Sequence, residues 1–122
     1  MSSILREWRG VIRREHRDEY VNYIKGTGLD DYRATPGNRG ATIAVRDLDE
    51  QRTEVITLSW WYSLDSIRAF AGDDIQLARY YPLDDKYLLE RPRTVQHYEC
   101  HGDTAGQSRT ISQDSGSSLL RG

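Results

Sequence analysis

The sequence predicts a single α+β domain of the ferredoxin-like, split βαβ kind, a four-stranded antiparallel sheet with its helices on one face. Apolar residues alternate with polar ones through separate short stretches, as half-buried strands require, and elsewhere recur at three- and four-residue spacing, as on one face of a helix. The resulting order, strand, helix, strand, strand, helix, strand, is that of the split βαβ motif. The third strand also offers bulky residues to both of its faces, so the side of the sheet away from the helices is itself apolar.

Residues 4–12 interleave β-branched and aromatic residues with polar ones and form the first strand, with Arg6, Trp8 and Gly10 sharing one face. His16, Tyr20, Tyr23, Ile24 and Thr27 make one stripe of a helix, which Gly28 can end in a left-handed conformation. Pro36, Gly37, Asn38 and Gly40 place a loop at 33–40. Strands at 41–48 and 53–62 follow, joined as a hairpin by the polar link 49–52. Ser63 can accept from the free amides of the next turn and start a helix through Leu64, Ile67, Phe70 and Ala71 to Gly72. Asp73 or Asp74 then caps a further short helix through Ile75, Leu77, Ala78 and Tyr81, stopped by Pro82, which lacks a backbone donor. After an acidic turn at Asp84 and Asp85, residues 93–101 form the fourth strand. The domain spans 1–102, and the Ser/Gly-rich stretch 103–122 has too few apolar groups to offset its ordering entropy, so a flexible tail is expected there.

The 122 residues include 17 basic and 19 acidic side chains spread along the chain, which provide no positive field for a phosphate backbone, so nucleic acid is not an expected partner. Arg13, Arg14 and Arg17 are interrupted by Glu15, Asp18 and Glu19, as in a solvated, mutually paired helix entry. Cys100 stands alone and cannot form a disulfide within the chain, no secretory leader precedes the first strand, and no apolar run approaches the roughly 20 residues of a membrane span. A cytoplasmic location without membrane contact is therefore expected. A hydrophobic fraction of 37% is low for a self-sufficient globule. With Ile56, Leu58 and Trp60 on one face of the third strand and Val55 and Trp61 on the other, two copies packed sheet to sheet about a two-fold axis would bury what one copy leaves wet, and a homodimer is expected.

The order of elements, the loop Thr35-Pro-Gly-Asn-Arg-Gly40 leading into a strand, and the stretch Leu58-Ser-Trp-Trp-Tyr-Ser-Leu-Asp-Ser-Ile-Arg-Ala-Phe70 together resemble the antibiotic biosynthesis monooxygenase-like family over residues 4–101. The resemblance implies the dimeric α+β barrel. Family members include cofactor-independent oxygenases of aromatic polyketides, haem-degrading enzymes and many proteins without an assigned activity. The Asn, Trp and His of the haem-degrading branch fall on Trp8, Phe70 and Tyr80, and none is matched. The Asn, Trp, Tyr and Arg associated with polyketide oxidation fall on Thr57, Trp61, Ile67 and Tyr81, where the Trp alone is kept.

Read by their own chemistry, Arg6, Trp61, Tyr80 and His97 are the candidate catalytic residues, and Trp8, Tyr32, Thr57, Phe70 and Tyr81 the candidate substrate-binding ones. Arg6 on the face of Trp8 could stabilise a phenolate, or, near the strand start, run its stem along the surface to water. Trp61 walls a pocket or fills core. Tyr32, Tyr80, Tyr81 and Tyr87 lie in predicted loops or helix ends, where hydroxyls suit a planar oxygenated ligand and aromatic rings equally suit a dimer rim. His97, Glu99 and His101 share one strand face, but the outer two lie about 13 Å apart along a strand, too far to share one ion. His97 with Glu99 remains a candidate acid-base pair, against a plain solvated sheet face. No glycine loop for phosphates, nucleophile elbow or cysteine metal cluster is present, and neither cofactor nor metal is expected.

The expected function is cofactor-independent oxidation of a small aromatic or carbonyl-bearing molecule, the substrate itself supplying electrons to oxygen. The alternatives are a non-oxidative isomerase or cyclase in which His97 or Tyr80 moves a proton, and a noncatalytic small-molecule-binding or structural homodimer.

Overall fold

The computed structural model describes residues 3–102, so the expected tail at 103–122 lies outside the described residues. β1 (Ser3–Arg13) is the central strand, followed by a 3-10 turn at Arg14–His16, α1 (Arg17–Lys25) and α2 (Gly28–Ala34). β2 (Asn38–Asp47) and β3 (Arg52–Trp61) form a hairpin, and α3 (Leu64–Ala71), α4 (Asp84–Tyr87), β4 (Leu88–Glu90) and β5 (Gln96–Cys100) complete the chain. The sheet is antiparallel, with β3 between β2 and β1, and β4 and β5 both on the far edge of β1. This is the α+β, ferredoxin-like arrangement that the sequence predicts.

Strand period fixes the two faces. In β3, Thr53, Val55, Thr57, Ser59 and Trp61 are buried, while Glu54, Ile56, Leu58 and Trp60 between them are only half-buried. The register pairs Arg6 with Ser59, Trp8 with Thr57, Gly10 with Val55 and Ile12 with Thr53, carrying the buried face across onto β1. Trp8 folds back over its own strand: a Cβ at Gly10 would lie 2.6 Å from the indole, so glycine is needed there. Ser63 caps α3 as expected, its hydroxyl accepting from the Ser66 amide at 3.2 Å.

Three sequence readings are corrected. Gly28 does not end the first helix; α1 stops at Lys25, and Gly28 opens α2, which buries Leu29 and Tyr32. Positive φ falls instead on other glycines, among them Gly72 at the end of α3, at 89°, and Gly37, at 93°, where a side chain would also run into Ser66. Residues 73–82 are not a helix: Asp74 holds a turn through the Gln76 and Leu77 amides, and the chain then runs extended, bridging Leu77 to Thr94. The acidic turn at Asp84 and Asp85 opens α4.

The last strand is broken. Glu90 lies opposite Val11 and Gln96 opposite Glu7, so residues 91–95 face only three residues of β1 and arch out of the sheet. The arch pairs with the extended segment, Ala78 donating to Arg93 O and Val95 to Gln76 O, each at 2.9 Å. These two irregular segments close one side of the space between sheet and helices.

Candidate functional site

The site grows from one inward-facing cation. Arg6 is 1% exposed. A buried charge demands compensation, and the reading in which Arg6 reaches water is overturned. Its Nη1 donates to Ile75 O at 2.7 Å and to His97 Nε2 at 3.0 Å, and its Nη2 donates to Leu77 O at 3.2 Å. Ile75 lies in the turn that Asp74 holds and Leu77 in the bridge to Thr94, and this non-helical path brings both carbonyls to Arg6. All three acceptors are neutral. Burial lowers the Arg6 pKa, with the neighbouring Tyr32 acting against it, but a guanidinium stays charged.

His97 faces Arg6 across the β1–β5 pairing. Burial, and then the Arg6 charge, push its pKa down to about 4, so the ring is neutral at pH 7. Because Arg6 can only donate, His97 Nε2 is the acceptor and the ring proton lies on Nδ1, a buried atom without a partner. Glu99 and His101 pair with each other at 3.5 Å on the exposed part of the strand, so the face expected to join His97 and Glu99 divides. Among the described residues, no three His, Cys, Asp or Glu side chains converge as metal ligands.

Seven of the nine candidate residues line one crevice between sheet and helices: Arg6, Trp8, Tyr32, Thr57, Phe70, Tyr80 and Tyr81. Trp8 Nε1 donates to the Tyr80 hydroxyl at 3.3 Å, and that hydroxyl donates to Pro92 O. Tyr32 stacks on Phe70 at 4.4 Å between ring centroids, with its hydroxyl 3.4 Å from Thr57 Oγ1. Tyr81 donates to Asp31 at 2.6 Å. Burial foremost raises the pKa of Tyr80 and of Tyr81, so both phenols stay protonated. The other two candidates stand behind the lining. His97 supports Arg6, and Trp61, fully buried, packs on Tyr32 and Phe70 and donates to Ser59 Oγ at 2.8 Å.

Sequence reasoning missed Asp84, Tyr20 and Arg79. Asp84 is 2% exposed and accepts from the Tyr20 hydroxyl at 2.9 Å and the Tyr81 amide at 2.6 Å. Arg79 lies over the Phe70 ring at 4.9 Å and pairs with Asp31. Tyr20 was legible only as part of a helix stripe, and nothing in the local pattern marks Asp84 as buried. The crevice between these side chains is partly open and has about 30 Å³ of free room, that of a single water.

No family model matches the chain, and no curated protein matches it. Among solved structures, it is similar to a Bacillus cereus protein provisionally designated an antibiotic biosynthesis monooxygenase, at 14% identity and a TM-score of 0.50, over 93% of this chain and 99% of that one. The shared property is the fold. Among the described residues, no helix is long and apolar enough to cross a membrane.

Proposed function

We propose that the chain binds a small, planar aromatic or carbonyl-bearing molecule in the Arg6 crevice, with an anionic oxygen of the ligand beside the guanidinium. The observation that supports this reading is the charge of Arg6, buried to 1% exposure among neutral acceptors only. Leaving a buried ion uncompensated costs several kcal/mol, on the order that an incoming anion can offset. Trp8, Tyr32 and Phe70 supply flat walls suited to an aromatic ring. Because the free room in the crevice is water-sized, uptake requires Arg79, Tyr80 and Tyr81, which line it from the irregular segment after α3, to move outward.

The same arrangement suits oxidation without a cofactor. A cation beside a phenol favours the phenolate, which gives electrons to oxygen more readily. For a CH2 group flanked by the phenolic ring, the two C–H bonds supply four electrons to one dioxygen: one oxygen atom becomes the new carbonyl and the other leaves as water. Binding is tested by Trp fluorescence quenching with 1-naphthol, expected in the native protein and lost in Arg6→Met. Oxygen uptake with one ¹⁸O atom in the product supports oxidation, while turnover without uptake assigns an isomerase or cyclase. Absence of binding by any aromatic probe makes the crevice filled core and the protein structural.

We also propose a homodimer across the helix-free face. Leu5, Ile56, Leu58 and Trp60 are half-buried there and Tyr98 is 49% exposed, beside Arg9 bonded to Glu7 at 3.0 Å and to Glu54 at 2.7 Å. An apolar patch edged by paired charges is the composition of a self-complementary interface. Sedimentation should give a dimer that Leu58→Asp converts to a folded monomer, and a native monomer at high concentration refutes the pairing.

A further inference from the structure

Building on the reading of Arg6 as the ligand anchor, we infer that the ligand's anionic group is a carboxylate seated on the Nε edge of the guanidinium. A guanidinium carries five N–H donors in a fixed plane. Three are engaged at good geometry, two from Nη1 and one from Nη2, and the Tyr32 hydroxyl lies beside the guanidinium. The unengaged pair is the Nε–H, buried without a partner among the described residues, and one N–H of Nη2. Nη2 is the terminal nitrogen on the Nε–H side of the plane, so with Leu77 O on the N–H that faces Nη1 the remaining two bonds run parallel along one edge. That edge matches the two oxygens of a carboxylate, each taking one donor in a bidentate pair. A phenolate brings a single oxygen and leaves a donor bare, and a water brings no charge.

Among the described residues, no internal acid takes this place. Asp84, which lines the same cavity, is committed to Tyr20 and the Tyr81 amide, and Asp31 to Tyr81 and Arg79. Ile75, Leu77 and His97 hold the opposite part of the guanidinium, so the free edge keeps its orientation before any ligand arrives. The occupant is a small aromatic carboxylate whose ring lies against Trp8 and Phe70, and on this seat the cation serves the carboxylate rather than a phenolate.

The test uses the ¹⁵N-labelled native protein and follows the Arg6 Nε–H resonance and the melting temperature. The titrants are sodium benzoate, 4-nitrophenolate, benzamide and sodium chloride, at constant ionic strength. Benzoate is expected to shift the Nε–H signal and raise the melting temperature, with benzamide and chloride doing neither. Arg6→Lys, which keeps the charge but loses the fork, is expected to weaken benzoate at least about tenfold. If 4-nitrophenolate shifts the signal and benzoate does not, the carboxylate is wrong and the anionic-oxygen pocket stands. Chloride or benzamide acting as strongly as benzoate overturns the two-oxygen seat. If nothing shifts the signal, both readings fall, and these native-protein arms decide the matter even if the Lys variant does not fold.

Discussion

Two clusters lie side by side on the covered face of the sheet and are made of opposite materials. Around Trp61, the side chains of Val55, Ile67 and Trp61 are wholly buried, and one short bond to Ser59 satisfies the indole. Around Arg6, burial is equally deep but polar: Arg6, Tyr20 and Asp84 are each at most 2% exposed and depend on partners from distant parts of the chain. Phe70 stands between them, its ring against Trp61 and Tyr32 on one hand and under Arg6 and Arg79 on the other. The difference teaches that an apolar cluster constrains only volume, whereas a polar one dictates backbone, because each buried donor must find an acceptor at a set distance and angle.

Removing the centre of the dry cluster should have the largest effect. Trp61→Ala is expected to cost ~3–5 kcal/mol in unfolding free energy, since the rings of Tyr32 and Phe70 cannot collapse fully into the space left. Urea unfolding measures it. A loss below ~1 kcal/mol would mean that this cluster is not the close-packed one and that the contrast with the Arg6 side is false. Arg6→Met comes next, at ~1–3 kcal/mol: Ile75 O and Leu77 O lose their donors, while relief of a buried charge works the other way. A stabilised Met variant would show that the cation is carried for function alone.

The dry cluster was legible in the sequence, and the wet one only in part. Trp61, Val55, Ile67 and Phe70 announce themselves by strand and helix period, and the same alternation put Arg6 on the face of Trp8. What the pattern could not supply was the partner. Ile75 and Leu77 have the spacing and flanking aspartates of a short helix, and locally that reading is sound. The long-range bonds of Arg6 to Ile75 O and Leu77 O and the bridge from Leu77 to Thr94 override it. The break in the last strand was hidden for a similar reason: residues 91–95 leave the sheet to pair with that extended segment, a contact invisible in either stretch alone. Seven of nine candidate residues nonetheless meet in one crevice: strand period placed Arg6, Trp8 and Thr57, whereas Tyr80 and Tyr81 reach it from the extended segment rather than from the expected helix.

The third expected effect is on pH dependence and separates the clusters by charge. His97 binds its proton at about 4 in the folded chain against an ordinary 6.5, so between those values the unfolded chain holds more protons. Stability from this group is therefore complete above pH 6.5 and is lost as pH falls toward 4. The depressed carboxylates Glu19, Asp47, Asp49 and Glu54 lose their contribution lower down, below ordinary values of 4.5 and 3.8. Chemical unfolding from pH 7 to 5 should thus show a decline that His97→Gln, whose amide oxygen can still accept from Arg6, flattens. Trp61→Ala should leave that slope unchanged, and an unaltered slope in His97→Gln would remove His97 from the charged cluster.

The smallest effect belongs to the residue shared by both clusters. Tyr32 presents its ring to Phe70 and Trp61 on the dry side and its hydroxyl to Thr57 and the neighbourhood of Arg6 on the wet side. The ring carries the packing, and a hydroxyl contact of 3.4 Å is too long to contribute much, so Tyr32→Phe should change stability by no more than ~0.5 kcal/mol. Ligand affinity should respond more than stability does, because the hydroxyl lies on the crevice wall beside the cation, where it would donate a hydrogen bond to a bound anion. A Phe variant that binds benzoate as the native protein does would place the ligand away from Tyr32, and one that loses more than ~2 kcal/mol of stability would make this hydroxyl structural, joining the two clusters through a bond stronger than its length implies.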